Sequence, residues 1–253
     1  MEALRGRHVV VTGGAKGIGL AIAERLAAEG ARLTLLARDI ERLHRVASTL
    51  GALALPCDIR DRGAVDAAFA AAAAERGPIR ALVANSGLGG PNQDGPHDRF
   101  DDLVATNLSG TYYCIRAALR DLEPGPERRD VVVLASILAR IAVGGYTGYS
   151  ASKAGLLGLV RSFAAELAPE NVQVNAICPG WVDTEMAWEG IDAYAAEIGA
   201  SRKTAYEDAM RDVPLRRMSA PADVAGTVAW LLSPDSRGVT GQAIDQNGGA
   251  WVG

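Results

Sequence analysis

A single α/β domain built on a parallel sheet is the fold predicted by this sequence of 253 residues, and three observations predict it. Short apolar runs rich in β-branched residues alternate with longer amphipathic segments, a glycine-rich turn directly follows the first run, and no change in composition marks a domain boundary. Strands that alternate with helices form a parallel sheet covered by helices on both faces. We therefore predict one doubly wound Rossmann-type domain over residues 1–253, with a seven-stranded sheet.

The predicted elements alternate in chain order. The strands are the short apolar runs His8–Thr12, Arg32–Ala37, Ala52–Pro56, Ala81–Ala84, Val131–Ala135, Val172–Cys178 and Ala243–Asp245. The helices are the amphipathic segments Gly17–Glu29, Ile40–Leu50, Arg62–Arg76, Asp101–Leu122, Tyr149–Ala168 and Ala222–Leu232. The third of these contains an alanine run, which favours helix. The crossovers between strands should be right-handed.

Three segments lack regular patterning: Leu88–His97, Glu123–Arg129 and Asp183–Asp212. The last is long, follows a late strand and carries apolar side chains, among them Trp188 and Met210. Long loops with their own apolar residues often cover a binding site. We therefore expect a small helical lid at about residues 183–212.

Composition and charge exclude several classes of function. The net charge is −4, charged residues make up 22% of the chain, and no long basic run occurs, so a nucleic acid or an anionic membrane is not expected as a partner. The N-terminus lacks the apolar segment of a signal peptide, and no apolar stretch is long enough to span a membrane. The three cysteines are widely spaced and the three histidines lack metal-ligand spacing, so we expect a cytoplasmic protein without a metal site.

The turn after the first strand reads Thr12-Gly-Gly-Ala-Lys-Gly-Ile-Gly19. Glycines at 13, 17 and 19 permit a tight turn from strand to helix and a close approach of the backbone to a diphosphate. The following helix adds free N–H groups and a partial positive charge at its N-terminus. This context predicts a dinucleotide site.

The second strand indicates which dinucleotide is bound. Enzymes that select NAD usually place a carboxylate at the end of this strand, where it accepts a hydrogen bond from the ribose 2′-hydroxyl. Here the strand is predicted to end at Ala37, followed by Arg38, which suits a 2′-phosphate. Lys16 supplies a second cation. We predict NADP(H) in preference to NAD(H), with one alternative: a register shift of one residue would make Asp39 the ribose carboxylate.

Tyr149 and Lys153 have the spacing of a catalytic pair. Only three of the 26 basic residues are lysines, at positions 16, 153 and 203, so a lysine four residues after a tyrosine is conspicuous. Residues i and i+4 lie on one face of a helix. A cation beside a phenol lowers the phenol pKa, so we expect Lys153 to depress the pKa of Tyr149 and make it an acid and base.

Taken together, these motifs resemble those of the short-chain dehydrogenase/reductase family along nearly the whole chain. Besides the glycine turn, the matching features are Asp58-Ile59 after the third strand, Ala84-Asn-Ser-Gly87 after the fourth, Asn107 in a helix, Ser136 at the end of the fifth strand, and Pro179-Gly180 after the sixth. The departures are mild: Ala84 and Ser86 replace the usual asparagine and alanine, whereas Asn85 is retained. Tyr146 is a decoy for the catalytic tyrosine, because Ser150 stands where it would need a lysine.

The resemblance implies a role for each matching residue. Tyr149 would exchange a proton with the substrate oxygen, Ser136 would hydrogen-bond that oxygen, Lys153 would hold the nicotinamide ribose, and Asn107 would hold a water that links Lys153 to solvent. The implied cofactor-binding residues are Gly13, Lys16, Gly17, Ile18, Gly19, Arg38, Asp58, Ile59, Asn85, Gly87, Tyr149, Lys153, Pro179, Gly180, Val182 and Thr184. Interconversion of a ketone and a secondary alcohol is the implied reaction, and a homotetramer the implied assembly.

The candidate substrate residues are mostly apolar or aromatic, which fits a hydrophobic ketone or alcohol. They are Leu138, Tyr146, Trp181, Met186 and Trp188. Trp188 has a second interpretation, in which it packs the lid. Arg140, Arg202, Lys203 and Arg211 are either a surface for an acidic carrier or a solvated face.

The pattern is most similar to three branches of the family: 3-oxoacyl-carrier-protein reductases, polyketide ketoreductases and 3-hydroxybutyrate dehydrogenases. Two alternatives remain at this point. One is an NAD-dependent dehydrogenase of a small or cyclic alcohol or a hydroxyacid, and the other is a non-catalytic dinucleotide-binding protein.

Overall fold

A computed structural model describes residues 4–93 and 95–253 of the chain. Residue 94, within the segment predicted to be irregular between Leu88 and His97, lies outside the described residues. The strands are β1 (His8–Thr12), β2 (Arg32–Ala37), β3 (Leu53–Pro56), β4 (Ala81–Ala84), β5 (Arg129–Leu134), β6 (Val172–Pro179) and β7 (Ala243–Gln246). The helices are α1 (Gly17–Ala28), α2 (Ile40–Leu50), α3 (Arg62–Arg76), α4 (Phe100–Val104), α5 (Thr111–Arg120), α6 (Thr147–Leu167), α7 (Glu185–Glu197), α8 (Arg202–Ala209) and α9 (Pro221–Leu232).

Within the described ranges the seven strands form one parallel sheet in the order β3-β2-β1-β4-β5-β6-β7. The predicted fold class is therefore confirmed. The order reverses between β1 and β4, and in such sheets ligands bind in the crevice beyond the carboxyl ends of the strands at that point. The glycine turn follows β1 and the Asn85 motif follows β4, so both lie at this crevice.

Helices cover both faces of the sheet, which is why β1, β4, β5 and β6 are buried along their whole length. On one face, α3, α5 and α6 contribute side chains such as Phe69, Ile115 and Phe163 to the core. On the other face, α1, α2 and α9 contribute side chains such as Ile22 and Val228. Burial of large apolar side chains on both faces fixes the positions of the strand ends.

The helix predicted over Asp101–Leu122 was only partly correct. It is divided into α4, a π-helical turn at Ala105–Gly110, and α5. A π-turn adds one residue to a helical turn without interrupting the apolar pattern, so hydrophobic spacing cannot detect it. Such turns occur frequently at functional sites, and this one contains Asn107.

The lid segment contains two helices, α7 and α8, that share a small apolar core of their own. Ile191 of α7 and Ala205 of α8 are fully buried in it, and the Trp188 and Tyr206 rings stack with centroids 5.6 Å apart. The Thr184 hydroxyl caps α7 by accepting a hydrogen bond from the amide of Ala187 at 3.3 Å. The lid is thus an ordered unit whose first turn starts next to the cofactor edge of the sheet.

Over the described residues, no helix is both long enough and apolar enough to cross a membrane. In the same part of the chain, no three His, Cys, Asp or Glu side chains are grouped so that they could hold a metal ion.

Candidate active site and cofactor cleft

The glycine turn after β1 requires glycine for steric reasons. Gly13 and Gly17 have φ angles of 67° and 54°, a conformation that L side chains rarely adopt. A Cβ atom on Gly19 would overlap the carbonyl oxygen of Gly13. The turn therefore brings bare backbone to the crevice.

Thr12 and Asn85 lock this turn against β4. The Asn85 side-chain amide donates to the carbonyl oxygens of Thr12 and Gly13 at 3.0 and 3.2 Å. In return, the Thr12 hydroxyl accepts from the backbone amides of Asn85 and Ser86, both at 3.0 Å. Asn85, expected near the cofactor, therefore acts by holding the phosphate-side turn and the loop after β4 together.

The residues at the start of α1 fit a bound diphosphate. Lys16 stands at the N-cap position, where no side chain caps the helix, and the first turn contains no acidic residue. The free N–H groups of this 12-residue helix are therefore available to an anion. Ile18, in the first turn of α1, is partly buried and packs against the hydrophobic core on the α1 face of the sheet.

The register at the end of β2 places Arg38 directly beyond the sheet. Ala37 is the last residue of the strand and pairs with Pro56, so Arg38 is the first residue beyond the sheet. Asp39 is the N-cap of α2, where its Oδ1 accepts from the amide of Arg42 at 3.0 Å. Within the described residues, the Arg38 side chain makes no hydrogen bond or ion pair. To act as the ribose carboxylate, the alternative considered for it, Asp39 would have to bind the ribose while its Oδ1 caps α2.

Asp58 and Ile59, which the resemblance assigns to the adenine side of the cofactor, lie beyond the end of β3. Both Asp58 carboxylate oxygens accept hydrogen bonds from the Arg60 guanidinium, at 3.1 Å for Oδ1 and 2.7 Å for Oδ2, and this hydrogen bonding lowers the pKa of Asp58. Ile59 is buried against Gly110, where a Cβ would come within 2.8 Å of its side chain. This packing joins the loop after β3 to the end of the π-turn.

Ser136, Tyr149 and Lys153 meet at the carboxyl ends of β5 and β6. Lys153 is only 5% exposed, and its Nζ donates to the carbonyl oxygen of Leu134 at 2.8 Å. The same Nζ lies 5.8 Å from the centroid of the half-buried Tyr149 ring. Ser136 is buried, and its Oγ accepts from the amide of Leu138 at 3.2 Å.

The expected direction of the Tyr149 pKa was wrong for the protein on its own. Burial raises the pKa of Tyr149 above its ordinary value, and the hydrogen bond with Ser136 lowers it by less. Burial also lowers the pKa of Lys153, to about 8. In the protein alone, Lys153 does not bring the pKa of Tyr149 below its ordinary value, because burial outweighs it and its ammonium is hydrogen-bonded to the carbonyl oxygen of Leu134. At neutral pH Tyr149 holds its proton.

Asn107 connects three segments around this pair. Its amide nitrogen donates to the carbonyl oxygen of Leu88 and to the Ser152 hydroxyl, both at 3.0 Å, while its oxygen accepts from the amide of Leu88 at 2.8 Å. Ser152 in turn donates to the carbonyl oxygen of Tyr149 at 2.7 Å. Both amide protons of Asn107 are used in this way, so its side chain positions α6 and the loop after β4, and only its oxygen retains a lone pair for water.

Gly87 lies between Asn107 and Lys153 and keeps that space open. A Cβ atom at this position would lie 3.1 Å from Asn107 Oδ1 and 3.5 Å from Lys153 Nζ. Glycine is therefore the residue that leaves room beside the lysine ammonium.

Asn92 is a site residue that sequence reasoning missed. No side chain at its own N-terminus caps α6. Instead, Asn92 Oδ1, from the loop after β4, accepts from the amide of Gly148 at 2.7 Å and from the Thr147 hydroxyl at 3.1 Å. It thus caps the catalytic helix immediately before Tyr149. No local signal identifies such a cap, because its partners lie more than 50 residues away in sequence.

The loop after β6 brings the expected nicotinamide-side residues to the crevice. Pro179 ends β6 and pairs with Gln246, and Gly180 packs so tightly that a Cβ would be 3.0 Å from Asn247. Val182 is 4% exposed and belongs to the core. Thr184 donates its hydroxyl proton to the carbonyl oxygen of Val182 at 3.2 Å while capping α7.

The candidate substrate residues fall into two groups. Leu138 is half-buried beside Ser136, and Tyr146 is close enough to Tyr149 to raise its pKa. Trp181 and Met186 are 36% and 46% exposed, and Met186 Sδ lies 2.8 Å from the position of a Cβ on Gly89. Met186 therefore spans from the lid to the loop after β4.

Trp188, in contrast, has described contacts that all lie within the lid. Besides stacking on Tyr206, its indole nitrogen donates to Asp183 Oδ1 at 2.7 Å, and the Arg202 guanidinium lies 5.7 Å from the ring. These contacts favour its second interpretation as a lid-packing residue.

The basic residues considered for an acidic carrier all have acidic partners. Arg140 pairs with Asp245 at 3.2 Å, Arg202 with Asp192, Lys203 with Glu207 at 3.8 Å, and Arg211 with Asp208 at 2.8 Å. Arg140 also lies 4.9 Å from the centroid of the Trp251 ring. Each of these basic residues would have to exchange its acidic partner in order to bind an acidic carrier.

Comparison with known proteins agrees with this architecture. Residues 13–250 match the family model described as enoyl-(acyl carrier protein) reductase. The 3-oxoacyl-(acyl-carrier-protein) reductase MabA of Mycobacterium tuberculosis is 33% identical over 249 residues, covering 98% of this chain and 94% of its own.

Two solved structures share the fold along the whole chain. A variant of the actinorhodin polyketide ketoreductase, solved with NADPH, has a TM-score of 0.90 and 32% identity, covering 99% of this chain and 98% of its own. A short-chain dehydrogenase/reductase of Brucella melitensis, named glucose/ribitol dehydrogenase, has a TM-score of 0.88 and 30% identity, covering 99% of both chains. The chain therefore belongs to the short-chain dehydrogenase/reductase family and is an NAD(P)-dependent oxidoreductase that interconverts carbonyl and alcohol groups.

Proposed function

We propose that this protein uses NADPH to reduce a hydrophobic ketone, such as a 3-oxoacyl thioester, to a secondary alcohol, with Tyr149 as the acid. The observation that carries the proposal is the convergence of Ser136, half-buried Tyr149 and buried Lys153 at the carboxyl edge of the sheet. The names of the relatives, which are 3-oxoacyl and polyketide ketoreductases, support the same substrate class.

The cofactor, when bound, supplies the hydride to the carbonyl carbon. Tyr149 donates its phenolic proton to the carbonyl oxygen as negative charge develops there, and the Ser136 hydroxyl donates a hydrogen bond to the same oxygen. The raised pKa of Tyr149 keeps the phenol protonated at neutral pH, which is the state that reduction requires. Lys153, on the same face of α6, stabilises the phenolate that remains.

The preference for NADP(H) is supported by the edge of the sheet at β1 and β2. Arg38 follows β2 directly, whereas the nearest carboxylate, Asp39, is used as a helix cap. Gly13, Lys16, Gly17 and Gly19 form the turn that would hold the diphosphate, and Thr184, Pro179 and Gly180 the nicotinamide side.

An absorbance assay tests the proposal. NADPH or NADH is mixed with a 3-oxoacyl thioester, with the matching enoyl thioester as a control for the reaction named in the family model. We expect rapid oxidation of NADPH with the ketone and at least about 10-fold slower use of NADH. We expect no reaction with the enoyl compound, because its C3 carries no oxygen that Ser136 could bind and Tyr149 could protonate. Preferential use of NADH, or oxidation of secondary alcohols with no ketone reduction, would contradict the assignment.

We also propose that the protein is a cytoplasmic homotetramer. Phe100, Tyr112 and Trp230 are 40%, 37% and 39% exposed, on α4, α5 and α9. Aromatic side chains exposed on helices are enriched at subunit interfaces. The cysteines Cys57, Cys114 and Cys178 are unpaired, which suits a reducing compartment. Light scattering should give four times the mass of the 26.4 kDa chain, and a monomer would refute the assembly.

A further inference from the structure

The lid is tethered to the cofactor side of the cleft by one carboxylate. Glu185, the first residue of α7, lies with its Oε2 3.1 Å from Lys16 Nζ. Arg42 Nη1 lies 3.3 and 3.4 Å from its two carboxylate oxygens. Lys16 belongs to the glycine turn and Arg42 to the first turn of α2, so Glu185 bridges two elements that both follow strands of the cofactor half.

The two cations flank the position proposed for the 2′-phosphate. Lys16 follows β1, while Arg38 and Arg42 follow the neighbouring strand β2. Parallel strands place their carboxyl ends at one edge of the sheet, so the three basic side chains gather there. Of the three, Arg38 is without an ion pair in the described part of the chain, Lys16 pairs with Glu185, and Arg42 pairs with Glu185 at 3.3 Å and also with Asp39 at 3.7 Å.

These ion pairs are exposed and can exchange their partners. The side chains of Lys16 and Glu185 are 62% and 59% exposed, and that of Arg42 is 36% exposed. Hydrogen bonding from Lys16 lowers the pKa of Glu185, so the carboxylate stays charged at neutral pH. Exposed ion pairs contribute little net stability, whereas a phosphate monoester carries almost two negative charges and three acceptor oxygens.

We propose that Glu185 is a determinant of cofactor specificity, because its carboxylate competes with the 2′-phosphate of NADP(H) for Lys16 and Arg42. The inference rests on the proposed preference for NADP(H). When the 2′-phosphate binds Lys16 and Arg42, their ion pairs with Glu185 break. With NAD(H) no second anion arrives, and the carboxylate keeps both cations.

The same exchange concerns the attachment of the lid. The start of α7 also touches the glycine turn, since a Cβ on Gly17 would be 3.4 Å from the Thr184 side chain. The N-terminus of α7 stays capped when the Glu185 ion pairs break, because the Thr184 hydroxyl accepts its hydrogen bond from the amide of Ala187 without involving the Glu185 carboxylate. A phosphorylated cofactor therefore loosens the ionic tether of the lid without unwinding α7.

The test measures binding rather than turnover. Isothermal titration compares adenosine 2′,5′-bisphosphate with AMP, which differ only in the 2′-phosphate, on the wild type, Glu185→Gln and Glu189→Gln. Glu189 is the matched control, since it is exposed on the same helix and has no ion pair within the described residues. We expect Glu185→Gln to bind the bisphosphate about 3- to 10-fold more tightly, with AMP binding changed by less than about 2-fold and Glu189→Gln like the wild type.

A second variant, Arg42→Gln, measures the energetic coupling between Glu185 and Arg42 in binding of the bisphosphate. Arg42→Gln should weaken binding of the bisphosphate, and Glu185→Gln should strengthen it less in the Arg42→Gln background, because one of the two released cations is missing. Strict additivity would contradict a shared competition.

The possible failures are distinguishable. A wild type that binds the bisphosphate no better than AMP overturns the NADP(H) assignment itself. A wild type that prefers the bisphosphate, with Glu185→Gln unchanged, overturns the competition alone. Equal tightening for both ligands, or the same gain in Glu189→Gln, also overturns it, since either outcome indicates a general effect of charge.

Discussion

The catalytic end and the adenosine end of the cleft are held by different kinds of interaction. At the catalytic end, Asn107 and Lys153 are 0% and 5% exposed, and they are fixed by hydrogen bonds of 2.8 to 3.0 Å. At the adenosine end, Lys16 and Glu185 form an ion pair in which both side chains are mostly exposed. Buried hydrogen bonds are costly to break, whereas exposed ion pairs exchange readily. We infer that the rigid end sets the chemistry and the exchangeable end sets the choice of cofactor.

Replacing Tyr149 with phenylalanine should give the largest effect, and this effect should be confined to the catalytic end of the cleft. The variant lacks the proton donor, so turnover should fall by about 10²- to 10⁴-fold. The adenosine end is not involved, so the affinity for adenosine 2′,5′-bisphosphate should remain unchanged. Steady-state kinetics and titration measure the two quantities. A variant that keeps most of its rate would remove Tyr149 from the mechanism.

Replacing Asn92 with alanine tests whether the catalytic end depends on its remote cap. The amide of Gly148 loses its partner, α6 loses about 1 kcal/mol of capping energy, and Tyr149 shifts. We expect kcat to fall roughly 10-fold at an unchanged KM for NADPH, because small displacements of reacting groups are costly. Gln93→Ala, in the same loop, is the control. An equal loss in that variant, or a rise in the cofactor KM alone, would argue against a positioning role.

The pH dependence of stability should reveal the buried Lys153. Its folded pKa of about 8 lies below the ordinary value of 10.5, so the unfolded chain binds more protons between these values. The free energy of unfolding therefore increases as the pH rises from about 8 to 10.5, by at most about 1 kcal/mol per pH unit. Below pH 8 the folded protein bears the full cost of burying the charged lysine.

Lys153→Met isolates this contribution. The buried cysteines, such as Cys178 with a pKa of about 11, act in the opposite direction above pH 9, so each comparison is made at one pH. We expect the stability advantage of the variant, measured by urea denaturation, to shrink between pH 8 and pH 9. A constant difference would mean that Lys153 titrates normally.

The sequence predicted most of the sheet, and it selected candidate catalytic residues that the fold brings together, because both depend on local patterns. The strands His8–Thr12, Arg32–Ala37 and Ala81–Ala84 were predicted without error, since short buried runs end at glycine or polar residues. A helical lid was predicted at about residues 183–212, but the division into two helices with these bounds was not, and neither was the π-turn. Their boundaries depend on packing between distant segments, and so do the partners of Asn92 and Glu185.

Changing the ionic strength should produce the smallest effect and the clearest separation between the two cofactors. Salt weakens the binding of the 2′-phosphate to Lys16, Arg38 and Arg42, but it also weakens the competing Glu185 pairs. The phosphate carries the larger charge, so its loss should dominate, and the KM for NADPH should rise about 3-fold between 0.05 and 0.5 M NaCl. The KM for NADH should change less, because both cofactors share the diphosphate and differ only in the 2′-phosphate. Glu185→Gln should show a steeper rise for NADPH, since no competitor is weakened at the same time. Parallel rises for the two cofactors would place the salt effect at the diphosphate instead and remove the exchangeable cations from cofactor selection.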